Sequence, residues 1–242
     1  MKISVVVPVH NETDNVELLI SEIVAALNPS YTFEMIFIDD GSTDTTLAKL
    51  QTAMLDYPQL RVLQHQSSCG QSRAIHSGIS AAKYPWITTL DGDGQNDPAD
   101  IPKLVEALKQ SEHPDSLWML AGFRHQRNDS GWRLFSSRFA NSIRQKILHD
   151  NTPDTGCGLK LFLRDKFLEL PYFDHIHRFL PALILAAGGQ VISVKVNHRA
   201  RSHGESKYGT IDRLMAGIID ILGVVWLKKR HSLPNVSEIV RG

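Results

Sequence analysis

The sequence predicts an α/β protein: a mainly parallel sheet with helices on both faces. Three observations carry the prediction. Apolar, β-branched runs alternate with helix-spaced apolar residues through residues 1–123, the pattern of strands joined by helical crossovers. The first run, Ile3–Val9, reads as a buried strand along its whole length. Polar clusters stand at Asn11-Glu12, Asp39-Asp40 and Asp91–Gln95, after runs whose carboxyl ends are where open parallel sheets bind ligands. No low-complexity linker or internal repeat divides the 242 residues, so a single domain over 1–242 is expected, large enough to bury its own core.

The elements follow in order. After Ile3–Val9, the residues Val16, Leu19, Ile20, Ile23, Val24 and Leu27 recur at helical spacing. Phe33–Asp39 is the second strand, and Leu47, Leu50 and Met54 mark a helix entered through the cap-forming Ser42-Thr43-Asp44. Leu60–His65 is a strand, Gln71–Ala82 a helix and Trp86–Asp91 a strand. Ile101, Leu104, Val105 and Leu108 give the next helix, and Leu117–Phe123 the next strand. Beyond residue 123 the pattern changes. Gly131–Leu148 reads as a helix carrying Arg133, Arg138, Arg144 and Lys146. Leu159–Leu163 and Val191–Val196 read as strands around a buried helix at Phe179–Ala187. A basic loop over 197–210 leads to a last helix over 211–230.

Composition narrows the function. With 42% hydrophobic and 21% charged residues, the chain is an ordinary soluble protein. Cys69 and Cys157 are the only cysteines, which excludes a disulfide scaffold and a cysteine-based zinc module; both read as small buried thiols. No apolar run reaches the ~18 residues that span a bilayer, and MKISVVVPVHNE lacks a signal peptide's apolar stretch, so a cytoplasmic protein is expected. The net charge of zero hides a split: residues 1–123 carry 7 Lys and Arg against 16 Asp and Glu, residues 124–242 carry 19 against 10. An acidic half suits a divalent cation and a basic half suits phosphates or an anionic membrane. Only 7% of residues are aromatic, and none interleave the basic clusters as stacking on nucleic acid requires.

Asp91-Gly92-Asp93-Gly94-Gln95 is the sharpest local signal. Residues i and i+2 of an extended chain point the same way, so both carboxylates can face one cation, and oxygen ligands select a hard ion such as Mg²⁺ or Mn²⁺. A calcium loop of the helix–loop–helix type would need glycine where Asn96 stands and glutamate where Pro102 stands. Asp39-Asp40-Gly41-Ser42 and Pro8-Val9-His10-Asn11-Glu12 are weak signals alone; a carboxylate at a strand end can accept hydrogen bonds from a base or ribose. The dinucleotide and P-loop glycine signatures, the serine nucleophile elbow and the H-E-x-x-H zinc motif are all absent.

Taken together, VVVPVHNE at 5–12, IDDGSTD at 38–44 and DGDGQ at 91–95 resemble the family 2 glycosyltransferases, whose GT-A fold is a Rossmann-like version of the sheet predicted above. GFRHQR at 122–127, SSRFAN at 136–141, DTGCGLKLF at 154–162 and HRARSHGESKYG at 198–209 are similar to the branch that transfers sugars to polyprenyl and dolichol phosphates. The resemblance covers residues 3–230 and departs at Cys157, where the family more often has serine, and at the C-terminus, where many relatives add transmembrane helices.

The resemblance implies a division of labour. Residues 1–123 would form a nucleotide- and metal-binding half and 124–210 an acceptor half, ahead of the apolar helix 211–230. Pro8, Asn11, Glu12, Asp39 and Asp40 would surround the base and ribose of a UDP- or GDP-linked sugar, and Asp91, Asp93 and Gln95 would hold Mg²⁺ or Mn²⁺ on its diphosphate. Arg124, Arg201, Ser206 and Lys207 would bind phosphates, with Asp93, Arg138 and Asp154 at the reaction itself. Arginine forks suit phosphate oxygens independently of any resemblance. The implied reaction is an inverting transfer of a hexose to polyprenyl phosphate. That acceptor is already an anion; a saccharide or cell-envelope hydroxyl would instead need a base, for which Asp154 is the candidate, unless it orients a neighbouring Arg or Lys. A non-catalytic nucleotide- or lipid-phosphate-binding module is a further alternative, though it would have no need of an open metal site.

The last helix adds a membrane expectation. Leu214, Met215, Ile218, Ile219, Ile221, Leu222, Val224, Val225 and Trp226 nearly encircle it, and Lys228-Lys229-Arg230 end it. Too short to span, it is expected either to lie on the anionic inner face of the cytoplasmic membrane or to pack in the core or in an oligomer interface.

Overall fold

The computed structural model describes residues 1–124, 144–200 and 210–230, with side chains from 217 in the last segment. Strand β1 (Lys2–Val9) lies inside the sheet and is buried from Ile3 onward, which accounts for its unbroken apolar sequence. It pairs in parallel with β2 (Thr32–Asp40) on one side and β4 (Trp86–Thr89) on the other, and β2 pairs in parallel with β3 (Leu60–His65). β5 (Leu117–Arg124) and β7 (Gln190–Val196) are parallel to each other. Between β4 and β5 runs β6 (Lys160–Leu163), antiparallel to both, so the order is β3-β2-β1-β4-β6-β5-β7. The mainly parallel sheet is as predicted. The reversed strand has a functional consequence: its first residue, Lys160, is registered with Thr89 at the carboxyl end of β4.

Alternate residues of the strands build two cores. Val5, Val7, Met35 and Phe37 pack with Leu19 and Ile23 of α1 (Val16–Leu27), Leu50 of α2 (Thr46–Asp56) and Leu104 of α4 (Ile101–Lys109). Val6, Ile36 and Ile38 pack instead with Ile75 and Ile79 of α3 (Gln71–Ala81), Phe167 of α5 (Arg164–Leu168) and Phe179 and Leu180 of α6 (Ile176–Ala186). Each fully buried side chain of this kind contributes roughly 1.5–3 kcal/mol, so both helical layers are held by the period-two alternation of the strands.

Some boundaries differ from expectation. The fourth strand stops at Thr89, two residues early, because the chain must bend over β1 at Gly92. The helix read from Phe179 begins at Ile176. Of the helix predicted over Gly131–Leu148, only residues 144–148 fall within the described residues, and they are helical.

The last helix, α7 (Thr210–Arg230), is neither wholly buried nor wholly exposed. Val224 is buried, and Ile221 and Val225 pack on the second core. Ile218, Ile219, Leu222 and Trp226 are 48%, 65%, 65% and 59% exposed. Asp220 accepts a hydrogen bond from His175 Nδ1 at 2.7 Å, and Lys228 Nζ donates to the Leu148 carbonyl. No helix among the described residues is long and apolar enough to cross a membrane.

Candidate active site

Three loops meet at the carboxyl edge of β1, β2 and β4. The first two are stitched together. Asn11, in the left-handed region at φ 56°, donates its N–H to Ser42 Oγ at 2.9 Å and accepts the Thr43 N–H on Oδ1 at 2.8 Å. The Glu12 N–H reaches Thr46 Oγ1 at 2.9 Å, and its carboxylate accepts from Asn15 Nδ2 at 2.7 Å. Asparagine tolerates this backbone better than other side chains outside glycine, so the motif's Asn serves the turn as well as any ligand.

Asp39 and Asp40 are adjacent on a strand and face opposite ways. Asp40 accepts from His65 Nδ1 at 2.7 Å, Ser68 Oγ at 2.8 Å, and the N–H groups of Cys69 and Gly70 at 2.8 and 2.9 Å. Burial alone would raise its carboxyl; the four donors outweigh burial and hold it below the ordinary range. Asp39 is fully buried, with Oδ1 accepting the Ser42 N–H at 3.3 Å and Oδ2 lacking a partner among the described residues. Such an orphaned acceptor costs about 1–3 kcal/mol.

The third loop depends on glycine. A Cβ on Gly92 would stand 2.7 Å from both the Pro8 carbonyl oxygen and Val9 Cγ1, so only glycine lets this loop lie on β1. Asp93 Oδ1 accepts the Gln95 N–H at 3.1 Å, the Asp91 N–H donates to Asn96 Oδ1 at 2.9 Å, and the Gln71 amide donates to Asp91 Oδ1 at 2.8 Å. Burial, and then repulsion from Asp93, pushes the Asp91 carboxyl up to about 6, against the pull of Lys160 and Arg124. Two carboxylates that repel in a half-buried setting are relieved by a cation between them, and their oxygen donors fit Mg²⁺ or Mn²⁺. Among the described residues the one cluster of three His, Cys or acidic ligand atoms is Asp40, His65 and Cys69, and there the hydrogen bonds to Asp40 already account for the gathering.

The second half brings Arg124 and Asp154 to the same edge. Arg124 Nε donates to Asp154 Oδ2 at 2.6 Å and Nη2 to Oδ1 at 2.9 Å, while the Gly156 N–H also reaches Oδ1 at 3.1 Å. Asp154 is thus paired with Arg124, one of the neighbouring cations that the sequence allowed it to orient. Arg138, Arg201, Ser206 and Lys207 lie outside the described residues. Of the two cysteines, Cys157 is buried as expected, and burial pushes its thiol up; Cys69 is exposed, against expectation, because its N–H is turned inward to Asp40.

The glycosyl transferase family 2 profile matches residues 4–170. The chain belongs to glycosyltransferase family 2. Its relatives include the dodecaprenyl-phosphate galacturonate synthase of Rhizobium johnstonii, 34% identical over 97% of this chain and 70% of that protein. The undecaprenyl-phosphate 4-deoxy-4-formamido-L-arabinose transferase of Aeromonas hydrophila is 33% identical over 99% of this chain and 72% of its own length. The fold is shared with glucosyl-3-phosphoglycerate synthase of Mycobacterium tuberculosis, solved with Mn²⁺, UDP-glucose and phosphoglyceric acid: TM-score 0.67, 18% identity, 94% of this chain and 79% of that one. These neighbours identify the sheet as the GT-A fold.

In this family 2 transferase the structure also brings to the site residues that motif reading passed over. A Cβ on Gly158 would collide with the Asp91 carboxylate and sit 2.6 Å from Asn96 Oδ1, so the loop carrying Asp154 is seated on the loop carrying Asp91. Lys160 is buried beneath both, its Nζ donating to the carbonyls of Cys157 and Thr155. Burial lowers its ammonium, with Asp91 and Asp154 among the charges that oppose this. A charged residue at the start of an apolar strand was the available signal for Lys160; Gly158 and Gln71 gave none.

Proposed function

We propose that this transferase moves a sugar from a nucleotide diphosphate to a polyprenyl phosphate, with inversion at the anomeric carbon. The relatives' names support the acceptor, and the sugars in those names are a galacturonate and a formamido-arabinose. The observation that carries the reading is the Arg124–Asp154 fork. A hydroxyl acceptor would want the Asp154 carboxylate free as a base, whereas a lipid phosphate arrives ionised and needs a cation to place it. Arg124, oriented by Asp154, is such a cation.

In this reading the base and ribose lie against the loops carrying Pro8, Asn11, Glu12, Asp39 and Asp40. Asp91, Asp93 and Gln95 are the residues that would hold Mg²⁺ or Mn²⁺, which supplies positive charge against the leaving diphosphate. Arg138, Arg201, Ser206 and Lys207 complete the phosphate-binding set. The phosphate oxygen then attacks as the diphosphate departs, so no proton need be removed.

The transferase works on the inner face of the cytoplasmic membrane in this reading, where the water-soluble donor is met. The outward side of α7, with Ile218, Ile219, Leu222 and Trp226 beside the exposed Lys229 and Arg230, matches an anionic bilayer in both polarity and charge. The decisive assay supplies Mn²⁺, a panel of UDP- and GDP-sugars and a short polyprenyl phosphate. Transfer to the lipid phosphate is expected. Transfer only to saccharide hydroxyls, or sugar release indifferent to the lipid phosphate, would reject the proposal.

A further inference from the structure

Gln71 and Ser72 open α3 with different partners. The Gln71 amide is on Asp91, whereas Ser72 Oγ makes a 2.7 Å hydrogen bond with Nδ1 of His177 in the first turn of α6. Two helices thus begin side by side at the carboxyl edge, one residue away from the proposed metal ligand. Through Gln71 and Ser72, neighbours in one helical turn, the imidazole stands close to the acidic loop.

His177 is half-buried, and Nδ1 carries its only hydrogen bond among the described residues. Nε2 makes no hydrogen bond among the described residues, and the side chain is only partly covered. Burial, followed by the charges of Lys160, Arg178 and His175, holds the imidazole well below its ordinary range, so it is neutral at physiological pH. A neutral ring fixed at Nδ1 offers one directional hydrogen bond at Nε2. A neutral imidazole suits a neutral polar group better than a phosphate. In a nucleotide sugar, the group that follows the diphosphate is the sugar itself.

We propose that His177 contacts a hydroxyl of the transferred sugar through Nε2, with Ser72 holding the ring in place. The proposal rests on the donor reading above. It makes His177 a specificity-determining residue on the donor side, with no part in placing the acceptor.

Two substitutions separate this contact from a structural role. His177→Asn puts an amide near Nδ1, keeping a partner for Ser72, and removes the group at Nε2. His177→Gln puts an amide near Nε2. The assay uses Mn²⁺, a short polyprenyl phosphate and whichever of UDP-glucose, UDP-galacturonate and GDP-mannose the wild type turns over fastest, with the free nucleotide diphosphate as competitor. His177→Asn should lower kcat/KM for the donor by about 5- to 100-fold, the effect of one lost polar contact. His177→Gln should recover part of the loss. The inhibition constant of the nucleotide diphosphate and KM for the lipid phosphate should stay within about twofold. Wild-type kinetics in His177→Asn, or equal losses for the sugar-free nucleotide or the lipid phosphate, would overturn the proposal. A wild type that turns over no nucleotide sugar would instead overturn the donor reading. Should both variants melt early, imidazole ¹⁵N resonances of the wild type decide: Nε2 of His177 must shift with the nucleotide sugar and not with the nucleotide diphosphate alone.

Discussion

Arg124 and Asp154 form a two-pronged pair at the carboxyl edge of the sheet, Nε to Oδ2 at 2.6 Å and Nη2 to Oδ1 at 2.9 Å. The two residues are 30 positions apart, and both side chains are mostly buried. Planar bidentate pairing fixes the guanidinium plane, so the carboxylate decides where the cation points.

Asp154→Asn tests what that carboxylate is for. The amide can still accept one hydrogen bond but no longer balances the guanidinium charge. KM for polyprenyl phosphate should rise more than kcat falls, with kcat reduced less than about tenfold, since no proton is abstracted from the acceptor. A kcat loss of about 10²–10⁴ in a folded variant would instead mark Asp154 as a general base.

Asp93→Asn should abolish turnover without lowering the melting temperature, and excess chelator should do the same to the wild type. The pH dependence follows from Asp91. Its carboxyl is raised from 3.8 to about 6, so folding of the metal-free protein bears a penalty that is full above pH 6. The penalty is relieved as pH falls through 6 and is gone below 3.8, the ordinary value. Metal binding has the opposite sense, because protons compete for the same oxygens: Mn²⁺ affinity should fall by up to about tenfold per unit below pH 6. Melting curves with and without Mn²⁺ between pH 7.5 and 5 check both signs. Asp44, held at about 2 by hydrogen bonds from Thr13 and Thr46 despite burial, loses its stabilising effect only as pH drops from 3.8 through 2, below this window. His177, kept well below 6.5, destabilises the fold as pH falls through 6.5 with or without metal, so the same curves on Asp91→Asn separate its share from that of Asp91.

Gly158→Ala tests the seating of one loop on the other. The added methyl meets the Asp91 carboxylate and Asn96 Oδ1, so either loop must move. A stability loss of about 1–3 kcal/mol is expected, as in other overpacked sites, together with a higher Mn²⁺ requirement. Calorimetry and a metal titration of activity measure the two; an unchanged Mn²⁺ requirement would separate the loops functionally.

The outward face of α7 is tested by charge. Deleting the helix would remove Val224 from the core, whereas Leu222→Glu with Trp226→Glu changes only side chains that are 65% and 59% exposed. Sedimentation with anionic liposomes at low salt should drop at least tenfold, with the melting temperature within a few degrees of wild type. Unaltered sedimentation, or a change of oligomeric state in place of lipid binding, would assign this face to another copy of the chain.

Much of this molecule was legible one residue at a time. Strands and helices could be read because burial on both faces makes a continuous apolar run, as in Ile3–Val9, and burial of one helix face imposes a period of about 3.6, as in Ile101–Leu108. The acidic loop was legible because Asp91 and Asp93 stand only two apart, although the strand ends at Thr89 and the two residues lie at a turn and not on the extended chain the spacing suggested. α7 was only half legible: its apolar circumference announces burial, but period cannot say which side meets the core and which is left for something else. The tertiary structure alone decided that β6 runs backward, bringing Lys160 beneath Asp91, and that Ser72 meets His177 across 105 residues. Periodicity reports which face of an element seeks cover; the partner that covers it is chosen by packing between distant segments.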